Sequence, residues 1–116
     1  MNARVKQMDE NAAVVSLAAL AQGMRLRVFR ALIGSAPQGM TPSVLCATLD
    51  VPASTLSFHL KELMHAGLVS QERDGRHLIY RPSIENMNAL LEYLTAHCCQ
   101  GAPCGITTTT ECGDRC

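Results

Sequence analysis

Two helical patterns separated by three residues constrain this chain more than any other feature. The first runs from Thr41 to Leu49, the break is Asp50-Val51-Pro52, and the second pattern continues to Ala66. Thr41-Pro42 is a start signal, because threonine can cap a helix and proline loses nothing at the first helical position, where its missing N–H would be an orphan anyway. In the second pattern Leu56, Leu60 and Leu63 recur at helical spacing and form an apolar face, while Ser54, Thr55, Ser57, Phe58 and Lys61 fall on other faces. A three-residue break of this kind joins the two helices of a helix-turn-helix, whose second helix reads DNA. A solvated helix face without a partner is the alternative, and an exposed Phe58 with no binding role sits awkwardly with it.

The segments on either side complete a small domain. Asp9 or Asn11 to Gln22 is rich in Ala, Leu and Val, with Val14, Leu17, Ala18 and Ala21 on one helical face. Gly23 interrupts it, and Arg25 to Ile33 restarts the pattern with Leu26, Phe29, Leu32 and Ile33 inward and Arg27 and Arg30 outward. Gly34 to Gly39 reads as a loop, and Val44, Leu45 and Leu49 are the buried candidates of the next helix. After Gly67, a C-terminal cap free to take positive φ, Leu68 to Arg73 and Arg76 to Tyr80 read as a hairpin about an Asp74-Gly75 turn. Arg73 and Arg76 flank its tip, within reach of phosphate or the minor groove. Ser83 caps a last helix carrying Ile84, Met87, Leu90, Leu91 and Leu94 along one side. That stripe, together with the apolar first helix, predicts a dimer face.

A chain of 116 residues makes one domain of modest burial capacity, and with two Phe, two Tyr and no Trp its core must be aliphatic. The formal net charge is zero, which looks wrong for a nucleic-acid binder until the chain is divided. Residues 22–82 hold seven cationic side chains against four carboxylates, a surplus of three, whereas 83–116 carry one against four. The neutral total therefore hides a basic centre and an acidic end. So small a surplus per subunit requires two subunits acting together on DNA.

No apolar run approaches the ~20 residues of a membrane span. Ala12 to Ala21 has the length of a secretory core, but Asp9, Glu10 and Asn11 sit directly before it and no cleavage site follows cleanly. The expectation is a cytoplasmic protein with no membrane partner. An enzyme is disfavoured: there is no Cys-x-x-Cys in a βαβ setting, no Gly-rich phosphate loop and no supported Ser/His/Asp grouping.

Leu26 to Leu32, Thr55-Leu56-Ser57-Phe58-His59-Leu60, Ala66-Gly67-Leu68-Val69 and the hairpin after them together resemble the ArsR/SmtB family of metalloregulatory repressors, over roughly residues 17–94. The resemblance implies a mainly α fold with a β-hairpin wing, a winged helix-turn-helix that dimerises through its first and last helices and binds palindromic, double-stranded operator DNA. Ser54, Thr55, Ser57, Phe58, Lys61, Arg73 and Arg76 are its candidate DNA contacts. Relatives often carry a capping Ser where this chain has Pro52. His59, beside Leu56 and Leu60, reads as a partly buried packing residue, and His65 and His77 as surface residues.

Five of six cysteines lie after residue 97, which in a reducing compartment points to metal, metalloid or redox chemistry rather than a disulfide framework. Residues 1–97 then form the DNA-binding and dimerisation domain and 98–116 a Cys-rich inducer-binding tail. Neighbouring helical residues point about 100° apart, so Cys98 and Cys99 can share an ion only if the helix ends there, which Gly101 and Pro103 favour. Cys104 can then fold back. Three thiolates suit a soft, pyramidal trivalent ion, arsenite or antimonite. The arrangement resembles the arsenic-responsive members of the family, whose inducer releases the repressor. Alternatives remain: His97 as a fourth ligand in a Cys3His zinc site, a zinc or cadmium sensor, a dithiol–disulfide switch for oxidants or reactive sulfur, or plain tail thiols. Cys46 reads as a small core residue, and Cys112 and Cys116 have no assigned role.

Overall fold

Capping side chains mark where the helices begin. A computed structural model describes residues 8–96, which form α1 (Glu10–Leu20), α2 (Gly23–Ser35), α3 (Pro42–Leu49), α4 (Ala53–His65), β1 (Val69–Asp74), β2 (His77–Pro82) and α5 (Ile84–Thr95). The Asp9 carboxylate accepts from the Ala12 N–H at 2.8 Å, and the Gln22 side chain accepts from that of Arg25 at 2.9 Å. Thr41 and Ser83 do the same for α3 and α5, taking one orphan N–H each. α1 and α2 meet at a 99° bend.

Between α3 and α4 the chain turns sharply. Asp50 adopts a left-handed conformation (φ 56°) and the Val51 N–H donates back to the Cys46 carbonyl at 3.2 Å. α4 then starts after Pro52, which offers no side-chain cap. Its other end is closed more firmly. Gly67, at φ 80°, lets its N–H reach the Met64 carbonyl and the Leu68 N–H reach that of Leu63, both at 3.0 Å. These are the paired bonds of a Schellman cap, and the side chains of Leu63 and Leu68 are both fully buried.

β1 and β2 pair antiparallel from Val69↔Pro82 to Asp74↔His77. The hairpin was expected to turn on Asp74-Gly75, and the register moves it one residue on, to Gly75-Arg76. Of the two loop residues only Gly75 takes positive φ (66°), the pattern of a type II′ turn, which wants Gly at the first central position. The base of the wing is tied to the α2–α3 connection, since Met40 and Tyr80 exchange backbone hydrogen bonds at 2.9 and 2.8 Å.

Val28, Phe29, Leu32, Leu45, Leu56, Leu60, Leu63, Leu68, Val69 and Tyr80 form the core. Four of them come from α4 or its cap, so the helix that reads as the DNA contact is also the one best anchored. Three expected core residues face outward instead: Leu26 is 44% exposed, Ile33 38% and Val44 48%. Val28 takes the inward place on α2. α1 turns Ala13 and Ser16 inward and leaves Val14, Leu17, Ala18 and Ala21 outside. α5 buries Ala89 and Leu90, while Ile84, Leu91, Tyr93 and Leu94 stay exposed. Among the described residues no single helix is long and apolar enough to cross a membrane.

Candidate nucleic-acid interface

With Leu56, Leu60 and Leu63 locked in the core, the opposite side of α4 faces out. At about 100° per residue, positions 54, 58, 61 and 65 fall in one narrow sector with 57 at its edge, diametrically opposite the leucines. Ser54, Thr55, Ser57, Phe58 and Lys61 are all exposed; Thr55 stands about 90° from the centre of that sector, toward the side of the helix away from Ser57. Phe58 is the most exposed large hydrophobic side chain among the described residues, at 56%. Arg73, in β1, and Arg76, in the hairpin loop, are exposed on the wing.

Not every cation of the central segment is free to meet phosphate. Arg81 pairs with Glu72 across the hairpin and donates from Nε to the Pro37 carbonyl at 3.0 Å. Arg25 donates from Nε to the Ala19 carbonyl at the end of α1, at 2.8 Å, and places Nη1 3.4 Å from Nδ1 of His59. Arg27, Arg30, Lys61, Arg73 and Arg76 remain exposed. Exposed basic residues on α2, α4 and the wing are thus available for phosphate contacts, which position a DNA-binding domain on the duplex.

His59 is 8% exposed, so the packing role expected for it holds, but the sequence held no sign of its partner. Burial lowers its pKa, the Arg25 guanidinium lowers it further, and Glu62 opposes them. The neutral ring accepts from Arg25 at Nδ1 and meets the Phe58 ring edge-on, with centroids 5.3 Å apart at 63°. Arg25 therefore connects the end of α1, through His59, to the outward face of α4.

The expected thiol site, Cys98, Cys99 and Cys104 with His97 beside it, lies outside the described residues. Cys46 is half-buried in α3 against the core. Among the described residues no group of three His, Cys, Asp or Glu side chains is placed to hold a metal.

A family model described as a helix-turn-helix domain matches residues 20–72, which span α2 to the wing. HlyU from Vibrio cholerae is 30% identical with a TM-score of 0.60, the match covering 75% of this chain and 97% of that one. HlyU from Vibrio vulnificus, described as a transcriptional regulator, is 31% identical over 77% of this chain and 90% of its own, with a TM-score of 0.59. An ArsR-like transcriptional regulator from Rhodococcus is 29% identical over 75% and 82% respectively, with a TM-score of 0.64. The chain belongs to the ArsR family of winged-helix transcriptional regulators. No curated protein sequence matches it. ArsR-family membership makes α3 and α4 the helix-turn-helix of a DNA-binding regulator and the hairpin its wing; proteins of this family and fold are generally not enzymes.

Proposed function

We propose that this chain is a cytoplasmic, homodimeric repressor of an arsenic-resistance operon, released from its operator when arsenite or antimonite binds Cys98, Cys99 and Cys104. One observation carries the reading: in the sequence the thiol triad follows closely on α5, a helix that leaves Leu91 and Leu94 exposed, as α1 leaves Val14 and Leu17. An NMR structure of similar fold, Mb0332 from Mycobacterium bovis (22% identity, TM-score 0.59), is described as a homodimeric winged helix-turn-helix DNA-binding domain, which supports the dimer. Two α4 helices related by a two-fold axis enter successive major grooves about 34 Å apart. Closure of three thiolates around one ion at the end of α5 favours a subunit arrangement that no longer fits that spacing. Operator affinity then falls by a coupling free energy, typically about 1–3 kcal/mol or roughly 5- to 150-fold.

A gel-shift titration of wild type and Cys98→Ser tests the assignment. The variant keeps full operator binding and is no longer released by arsenite; equal release of both proteins would sink the thiol site. A second reading has one observation in its favour. A solved relative, 29% identical, is described as reduced HlyU from Vibrio cholerae, so oxidation of two thiols to a disulfide is a rival signal. Mass measurement after mild oxidation, with and without arsenite, separates the two.

A further inference from the structure

The outward stripe of α4 is short of the side chains that tell bases apart by hydrogen bonding. Discrimination in the major groove rests on bidentate pairs from Arg, Lys, Asn or Gln and on acceptance by Glu or Asp, whereas Ser and Thr bond to either kind of edge. The N-terminal part of the helix, which meets the base edges, presents Ser54, Thr55, Ser57 and Phe58. Lys61 comes a turn later. Phe58 is therefore the one large side chain at the bases. It projects opposite the buried leucines and away from the core, with more than half its surface exposed. His59 meets its ring edge-on at 5.3 Å, and Arg25 in turn contacts His59. An exposed aromatic ring beside small hydroxyl side chains is suited to an apolar group that protrudes from a base edge.

In the major groove that group is the C5-methyl of thymine. Resting on the reading that α4 enters the operator groove, we infer that Phe58 recognises a pyrimidine C5-methyl in each half-site, so the protein takes 5-methylcytosine for thymine at that position. Sequence is then read there by a methyl group rather than by a donor or acceptor. Burial of one methyl is worth roughly a fourfold change in affinity.

Fluorescence-anisotropy titrations of the chain's own promoter fragment, with each thymine replaced in turn by deoxyuridine, provide the test. Wild type loses affinity about fourfold at one symmetric pair of positions. There cytosine binds as weakly as deoxyuridine, and 5-methylcytosine restores the loss. Phe58→Ala, whose folding is checked by its melting temperature, still binds the fragment in a salt-dependent way and treats thymine and deoxyuridine alike. Uniform wild-type affinity across all the substituted fragments, or a thymine preference that survives in Phe58→Ala, would overturn the inference. Failure of wild type to bind any promoter DNA would instead overturn the operator-binding reading beneath it.

Discussion

His59 ties the reading helix to the rest of the domain, and it does so only while neutral. Burial, first, and Arg25, second, hold its pKa below the ordinary 6.5, so the folded state takes up a proton later than the unfolded chain as pH falls. The unfolded state then binds more protons, and stability drops as pH falls through the unfolded pKa and further toward the folded one. Thermal melts at pH 8 and pH 5 should show this loss, and His59→Gln, which is never charged, should lessen it. Leu63 and Leu32 report on a different quantity, because each is completely buried in the aliphatic core. Replacing either by Ala should destabilise the fold by about 2–5 kcal/mol in urea titrations. His59's burial was legible from its place between Leu56 and Leu60. Its hydrogen bond to Arg25 was not, because the two lie 34 residues apart and no local spacing connects them.

At the scale of elements, the wing depends on one glycine at its root. Gly39 sits at φ 83°, where a Cβ would meet the Tyr80 carbonyl oxygen at 2.5 Å and the side chains of Arg81 and Ile79 at 2.7 and 2.8 Å. Gly75, at the wing tip, has positive φ but open space. Gly75→Ala should therefore cost only the strain of its positive φ, and Gly39→Ala clearly more, because a steric clash adds to it, with amide exchange speeding up along β2. The helix-turn-helix, the hairpin and the capped starts at Thr41 and Ser83 were readable, since periodicity and capping are local; the Gln22 cap of α2 was not, because Gln22 read as the end of the helix before it. What failed was the choice of face. Leu26, Ile33 and Val44 have the same spacing whether a helix looks into the core or presents a second apolar surface, and periodicity alone cannot separate the two. The wing turn slipped by one residue because both Asp-Gly and Gly-Arg place a glycine where positive φ is needed.

In the whole molecule, α1 and α5 stand with Val14, Val15, Leu17, Leu91 and Leu94 uncovered, while α4 and the wing present polar and basic side chains. In the proposed dimer, an apolar surface joined by a two-fold axis covers the first set, and duplex DNA meets the second. Leu94→Arg should shift the protein toward monomer in sedimentation equilibrium and weaken operator binding without lowering the helix content of the subunit. Under the proposed function, thiols that follow α5 in the sequence act on DNA by changing how two subunits sit together, so that inducer and operator compete through a shared equilibrium. Linkage makes that competition reciprocal. The most direct measurement is the affinity of the dimer for arsenite, determined with and without saturating operator at fixed salt. Operator should weaken arsenite binding by the same factor by which arsenite weakens operator binding; equal arsenite affinity in the free and operator-bound dimer would contradict the coupling.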